Sequence, residues 1–257
     1  MDAPASLQQG PGFAVVLVRP QGSGNIGAIA RSMAHFGLER LRLVAPRGEA
    51  ASLEARQMAM TAQPLLARAE HFASLREATG DCGWLVATSR RLGQNRLPTL
   101  EPREGAPELL RRAARTRVAL VFGPEDKGLR TDEMDLCQER LLIPALPGAD
   151  SLNLAQAALL VFWELYRAKT GMEGEAALAG EDTEIPSREE VEGLVDHLLA
   201  TLEEVGFLHY EPEQVARTFR RMIDRAGPDR REVRMLRGAL RQLGWKLGRP
   251  ADRDREE

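Results

Sequence analysis

The sequence predicts an α/β protein with a largely parallel sheet, followed by a small helical extension. Three observations lead to this fold class. Short apolar runs alternate with helical stretches over the first two thirds of the 257 residues, an acidic segment with Gly and Ala then interrupts the pattern, and only helical periodicity follows it. Strands that alternate with helices are typical of doubly wound parallel sheets. We therefore expect a main domain at 1–170, a flexible linker at 171–186 and a helical module at 187–257.

The predicted strands are short apolar runs rich in β-branched and large side chains. They span 13–18, 41–44, 84–88, 118–122 and 141–143. Pro144 ends the last strand, because proline has no N–H for a sheet ladder. Helices are predicted between the strands at 25–36, 49–60 and 107–115, and a long helix with a broad apolar face closes the domain at 152–169.

The composition excludes several functional classes. The chain has 43% hydrophobic and 28% charged residues, as globular proteins do, and only 5% aromatic residues, which argues against base stacking as the main binding device. Cys82 and Cys137 are far apart and the four histidines are scattered, so we expect neither a disulfide scaffold nor a metal site. The sequence shows no signal peptide and no apolar run of about 18 residues, so we expect a cytoplasmic protein without a membrane span.

Positive charge collects in the C-terminal module, although the net charge of the chain is −3. Ser187 and Glu190 predict a capping box that starts its first helix. Residues 217–249 then contain eleven Lys and Arg against three acidic residues. A solvated helix face is the simpler interpretation, but the excess of one sign favours contacts with phosphates. The candidate RNA-binding residues are Arg220, Arg221, Arg234 and Arg237.

The turn after the first predicted strand contains a G-x-G-x-x-G pattern, from Gly22 to Gly27. Between a strand and a helix this pattern is typical of dinucleotide-binding folds. Those folds also carry an acidic residue at the end of the second strand, whereas here that strand is followed by Ala45-Pro46-Arg47 and the first carboxylate after it is Glu49. A dinucleotide-dependent oxidoreductase is therefore kept as an alternative.

A different grouping of the same residues accounts for more of the chain. Three blocks follow the first, fourth and fifth predicted strands in order: Asn25-x-Gly27-x-x-x-Arg31, then Phe122-Gly123-Pro124-Glu125-x-x-Gly128-Leu129, then Ile143-Pro144 followed by Ser151-Leu152-Asn153-Leu154-Ala155. They resemble the three motifs of the SpoU-type RNA 2′-O-methyltransferases of the SPOUT superfamily, over about residues 13–168. Thr88-Ser89-Arg90 and the C-terminal segment are most similar to the TrmJ branch of that family.

The resemblance implies a SPOUT fold with a C-terminal trefoil knot, a homodimer, and methylation of the 2′-hydroxyl of nucleotide 32 in the tRNA anticodon loop. It also implies S-adenosylmethionine as cofactor, held by the main chain around Thr88, Ser89, Arg90, Gly123, Ile143, Ser151, Leu152 and Asn153. The loop 91–98 is longer and more polar than expected for this branch. Methylation of rRNA or of another tRNA position therefore stays open as an alternative. A non-catalytic RNA-binding protein is a further alternative, but the complete set of Asn25, Arg31, Glu125, Ser151 and Asn153 argues against it.

The candidate catalytic residues also suit the chemistry of methyl transfer to a ribose. A ribose hydroxyl is a poor nucleophile, so the developing alkoxide needs a positive neighbour. The resemblance makes Arg31 the catalytic residue, and because arginine stays protonated in proteins we favour a role in holding the alkoxide and the adjoining phosphate. Asn25 and Glu125 are expected to orient Arg31 or the ribose, and Ser151 and Asn153 to hold backbone turns or the substrate.

Overall fold

The computed structural model describes residues 12–89, 97–144, 146, 152–172, 184–208 and 211–247. The chain divides into two compact units, Met1–Glu181 and Asp182–Glu257. This boundary falls within the linker predicted at 171–186, of which residues 173–183 lie outside the described residues.

The first unit contains a seven-stranded parallel sheet, which confirms the predicted fold class. Its strands are β1 Phe13–Val18, β2 Arg40–Val44, β3 Glu70–Phe72, β4 Trp84–Ser89, β5 Thr99–Leu100, β6 Val118–Phe122 and β7 Glu139–Leu142. They lie in the order β3-β2-β1-β6-β4-β7-β5. The five predicted strands are present, whereas β3 and β5 at the two edges were not predicted. These edge strands have only three and two residues, which is too short for a periodic pattern.

Seven helices pack on this sheet within the described residues. They are α1 Ser23–His35, α2 Leu53–Ala59, α3 Gln63–Ala67, α4 Leu75–Ala78, α5 Pro102–Arg115, α6 Thr131–Asp135 and α7 Leu154–Met172. The helix predicted from residue 49 begins only at Leu53, because the Ser52 hydroxyl accepts the Ala55 N–H and caps it there. Helix α5 begins five residues earlier than predicted, because Pro102 suits the first helical position and Glu101 forms a capping box with Glu104.

Strand β1 lies at the centre of the core, and all six of its residues are buried. Phe13, Val15 and Leu17 pack in the layer that includes residues of α1, α5 and α7, and the alternate residues pack in the layer with α4 and the end of α6. Because parallel strands run in the same direction, their carboxyl ends lie on the same side of the sheet. The segments after β1, β4, β6 and β7 all begin on that side. The predicted site residues lie on these segments.

The second unit consists of three helices within the described residues: α8 Arg188–Glu204, α9 Pro212–Ala226 and α10 Arg230–Leu247. The predicted capping box is confirmed, since the Ser187 hydroxyl accepts the Glu190 N–H and the Glu190 carboxylate accepts the Ser187 N–H. Ion pairs join α8 to α9. Fully buried Glu192 pairs with Arg188 and Arg220, and Arg188 also reaches Asp224 at 2.7 Å.

Cys82 and Cys137 are buried, and neither forms a disulfide within the described part of the chain. Burial raises the pKa of the Cys82 thiol to about 12, with the negative Asp81 beside it acting in the same direction. Among the described residues, no three His, Cys, Asp or Glu side chains are grouped so that they could bind a metal. None of the described helices combines the length and the apolar character that a membrane span requires.

Candidate active site

The Glu125 carboxylate, on the segment after β6, joins that segment to the turn after β1. One oxygen accepts the Gln21 N–H at 2.9 Å, and the other accepts the Gly22 N–H at 3.1 Å and the Asn25 side-chain amide at 2.7 Å. Partial burial raises the pKa of this carboxyl group, but the hydrogen bonds from Asn25 and the main chain outweigh burial and hold the pKa below its ordinary value. Glu125 is therefore an ionised acceptor at neutral pH.

Asn25 extends this connection to the start of α7. Its side-chain oxygen accepts the Asn153 side-chain amide at 2.9 Å. The Asn153 side-chain oxygen in turn accepts the Ala155 N–H, and the Asn153 N–H donates to the Gln156 side chain, so Asn153 also caps α7. Because Glu125 can only accept, it fixes the orientation of the Asn25 amide, and Asn25 then fixes that of Asn153. We call Asn25, Glu125 and Asn153 the amide–carboxylate network.

Arg31 lies on α1 six residues after Asn25, a rise of about 9 Å along the helix. Its side chain is exposed and makes no hydrogen bond or ion pair with another described residue. The structure thus brings Asn25, Glu125 and Asn153 together, but they bind one another and not Arg31. Ser151 lies outside the described residues.

The predicted cofactor residues occupy the ends of three adjacent strands, β6, β4 and β7. Thr88 and Ser89 end β4, Gly123 follows β6, and Ile143 follows β7. The Thr88 hydroxyl donates to the Val121 carbonyl within the sheet. Ile143 is half-buried and Leu152 is 40% exposed, so apolar surface lies on the same segments. Arg90 and part of the loop after it, at 91–96, lie outside the described residues.

The main chain turns back closely on itself after β6. A Cβ atom added to Gly123 would collide with the main chain of Gly128 and Leu129, and Gly128 has a positive φ of 70°. Glycine meets both requirements, the first by its lack of a side chain and the second by its conformational freedom. The trefoil knot also depends on residues 145 and 147–151, outside the described residues, and it stays a prediction.

The structure argues against a dinucleotide site at the G-x-G-x-x-G turn. A pyrophosphate would need the free N–H groups at the start of α1. Here the Gln21 and Gly22 N–H groups, just before α1, donate to Glu125, so a negative carboxylate lies beside the turn where the pyrophosphate would bind. The strand order β3-β2-β1-β6-β4-β7-β5 also differs from the dinucleotide fold, in which strand 4 is next to strand 1.

The four arginines predicted to bind RNA have different environments in the second unit. Arg234 has 68% of its side chain exposed, and Arg237 and Arg221 are half-buried. Arg220 instead donates two 2.8 Å hydrogen bonds to the buried Glu192 carboxylate. The sequence shows that Arg220 shares a face with Arg217 and Arg221, but it could not show which helix packs on that face. Arg220 therefore contributes to the packing of α8 and α9.

The chain matches two families of known proteins in sequence. Residues 12–163 match the SpoU rRNA Methylase family, and residues 189–256 match the family described as tRNA methyltransferase TrmJ, C-terminal domain. The tRNA (cytidine/uridine-2′-O-)-methyltransferase TrmJ of Salmonella typhimurium is 37% identical over 232 residues, which are 89% of this chain and 95% of that protein. These matches overturn the alternative of a dinucleotide-dependent oxidoreductase.

Solved structures give the same relationship. The crystal structure of TrmJ from Z. mobilis ZM4 aligns with a TM-score of 0.77 and 34% identity, over 90% of this chain and 98% of that one. A protein studied for the 2-OH methylation of C/U34 on tRNA aligns with a TM-score of 0.50 and 26% identity, over 62% and 97%. An AdoMet-bound rRNA methyltransferase from Sinorhizobium meliloti aligns with a TM-score of 0.51 and 25% identity, over 63% and 58%. This chain belongs to the SpoU methylase family and, within it, to the TrmJ branch.

Proposed function

We propose that this protein transfers a methyl group from S-adenosylmethionine to a ribose 2′-hydroxyl in the tRNA anticodon loop. The observation that carries the proposal is the amide–carboxylate network, which joins all three family motifs, together with the exposed Arg31 on the same helix as Asn25. The names of the TrmJ relatives support tRNA as the substrate class. A tRNA-modifying enzyme is expected in the cytoplasm, where its substrate is found.

The strand ends around Thr88, Gly123 and Ile143, with Leu152 and Asn153, suit S-adenosylmethionine. They combine main-chain polar groups with accessible apolar side chains, as the polar and apolar parts of an adenosyl group require. The AdoMet-bound relative from Sinorhizobium meliloti supports this assignment. When bound, the cofactor supplies an electrophilic methyl group on a sulfonium ion.

Arg31 has the role of stabilising the ribose oxygen as its negative charge develops. Its guanidinium group is exposed and free of ion pairs within the described part of the chain, so it is available to the ribose and to the adjoining phosphate. Arginine remains protonated in proteins, so we assign Arg31 to the charge of the alkoxide, and the hydroxyl proton passes to the solvent that reaches this exposed side chain. Asn25, Glu125 and Asn153 position α1, and Arg31 with it.

The second unit supplies phosphate contacts. Arg234 is the most accessible of the four arginines predicted to bind RNA, and Arg221 and Arg237 are next. Such contacts contribute affinity and orientation more than base selection. We also propose that the linker at 171–186 separates this RNA-binding module from the methyltransferase domain.

A homodimer is part of the proposal. On α7, Leu159, Leu160 and Trp163 are 42%, 41% and 47% exposed, and they form one apolar stripe at helical spacing. Exposed apolar stripes of this kind are typical of subunit interfaces, and a second copy of this chain is the occupant that we propose. Sedimentation of the parent and of Trp163→Arg tests it, since a variant that remains dimeric would remove this stripe from the interface.

We propose nucleotide 32 as the target, on the resemblance to the TrmJ branch. A relative that acts on C/U34 makes nucleotide 34 the second candidate. The test is mass spectrometric mapping of ribose methylation in tRNA from cells with and without this protein. Loss of a single methyl mark in the anticodon loop is expected, and an unchanged tRNA methylation map would refute the proposal.

A further inference from the structure

Arg19 directly follows β1 and has an unusual backbone conformation. Its φ angle is +49°, a value that glycine adopts easily and that other residues rarely adopt. Arg19 also precedes Pro20, which restricts its backbone further. The Arg19 N–H still donates to the Val44 carbonyl at 2.8 Å, so the turn is well formed in spite of the strain. An arginine at a position that suits glycine indicates that its side chain is needed.

That side chain forms a two-point ion pair with Glu133. Nη2 of Arg19 donates to Oε2 of Glu133 at 2.9 Å, and Nη1 donates to Oε1. The two side chains are only 16% and 10% exposed, so water screens the pair less than it would at the surface. Glu133 also accepts the Arg130 N–H at 2.8 Å, which fixes the carboxylate at the start of α6.

The Arg19–Glu133 pair and the Glu125 carboxylate hold opposite ends of the same turn. Arg19 begins the turn between β1 and α1, and Asn25 lies on the first turn of α1. Their partners Glu133 and Glu125 both belong to the segment that runs from the end of β6 into α6. The turn is thus attached to this segment at two points, the Arg19–Glu133 pair and the hydrogen bonds to Glu125. Only the contact of Glu125 with Asn25 is made by residues of the family motifs.

We propose that Arg19 and Glu133 are positioning residues for methyl transfer, which rests on the function proposed above. The pair keeps the start of α1 in register with Glu125, and so it sets the place of Arg31 further along the same helix. Methyl transfer is an in-line displacement, and a misplacement of about 1 Å can cost about 100-fold in rate. Neither residue needs to contact the substrate for this effect.

Arg19→Gly provides the most direct test, because glycine relieves the backbone strain and removes the ion pair at the same time. We expect kcat to fall at least about tenfold with little change in KM, and the Tm to stay within about 3 °C of the parent. Hydrogen exchange at the Gln21 and Gly22 amides, which donate to Glu125, is expected to become faster. Arg19→Lys restores the charge and is expected to recover a large part of kcat.

The matched control is Arg117→Gln. Arg117 pairs with Asp81 in the same unit and is similarly buried at 18% exposure. Both residues come just before strands, so they lie near the amino ends of the strands, whereas Arg19 follows the carboxyl end of β1. This variant is expected to lower the Tm and keep the parent's kcat. If Arg19→Gly keeps the parent's kcat and amide protection, or loses no more kcat than Arg117→Gln, the proposal is wrong.

Glu133→Gln decides the question if Arg19→Gly fails to fold. Glutamine keeps an acceptor for the Arg130 N–H and removes the charge that Arg19 needs. The same fall in kcat supports the pair as a positioning device, and parent-like turnover overturns it. Should the parent itself fail to methylate tRNA, the proposed function falls, while exchange at Gln21 and Gly22 still shows whether the pair holds the turn.

Discussion

Removal of the Glu125 carboxylate is expected to loosen the candidate active site and to lower turnover. Its oxygens accept hydrogen bonds from the Gln21 and Gly22 N–H groups and from the Asn25 amide. In Glu125→Ala all three donors lose their acceptor. At about 1 kcal/mol for each net hydrogen bond, and with water able to reach part of this half-buried site, the free energy of unfolding should fall by about 2 to 3 kcal/mol.

Glu125→Gln is the matched variant, because it keeps the size of the side chain and one acceptor oxygen. We expect a smaller loss of about 1 to 2 kcal/mol in the free energy of unfolding, since the new NH₂ group faces a donor. The folded-state pKa of Glu125 lies below the ordinary value of 4.5, so the carboxylate stabilises the protein above that pH. As the pH falls through the lowered pKa, this contribution is lost, and the parent and Glu125→Gln should become more similar in stability.

Urea unfolding at neutral and acid pH measures these differences. Single-turnover methylation of a tRNA transcript, with calorimetric titration of S-adenosylmethionine, measures the functional effect. We expect Glu125→Ala to lower the rate about 10- to 100-fold, because Asn25 and Asn153 lose the group that orients them, and to change cofactor affinity little. An alanine variant with the parent's urea midpoint and turnover would show that this network does not hold the site.

Three further results are expected. Arg31→Ala should abolish methylation while calorimetry still detects S-adenosylmethionine binding, and turnover equal to that of the parent would remove Arg31 from the mechanism. Neutralising Arg234 and Arg237 together should weaken tRNA binding. The slope of log binding constant against log salt concentration should become shallower by roughly 0.7 to 0.9 for each lost phosphate contact. An unchanged slope would show that the two arginines form only a solvated helix face. Arg220→Ala should instead lower the Tm of the second unit, because it leaves buried Glu192 with one cationic partner fewer, and an unchanged Tm would contradict that structural role.

The central part of the fold could be predicted from the sequence because its strands are continuous apolar runs. Phe13–Val18 is buried on both faces, and such a run is typical of a central parallel strand. The edge strands β3 and β5 could not be predicted, because they are short and partly exposed and are defined mainly by pairing with a neighbour. The start of α5 depends on the capping box of Glu101 with Glu104 and on Pro102 at the first helical position, which the apolar pattern does not show.

The site residues were identified by the resemblance of three sequence blocks to the family motifs, but their contacts could not be predicted in this way. Asn25 and Asn153 are 128 positions apart, and only the folded chain shows that their amides meet. Arg19 could not be recognised as part of the site, because its backbone strain and its pairing with Glu133, 114 positions away, have no local signal in the sequence. For the same reason, the ion pair of Arg220 with Glu192 could not be predicted. Helical periodicity gives the helix face on which Arg220 lies, but the packing of α9 on α8 decides its partner.

Mapping the product of the purified enzyme tests the central claim most directly. Unmodified tRNA transcript, S-adenosylmethionine and either the parent or Arg31→Ala are incubated together, and the ribose methylation of each nucleotide is read by mass spectrometry. We predict one 2′-O-methyl group in the anticodon loop, at nucleotide 32, from the parent and none from Arg31→Ala. A methyl group on a base, a tRNA transcript without any methylation, or full activity of Arg31→Ala would contradict this prediction.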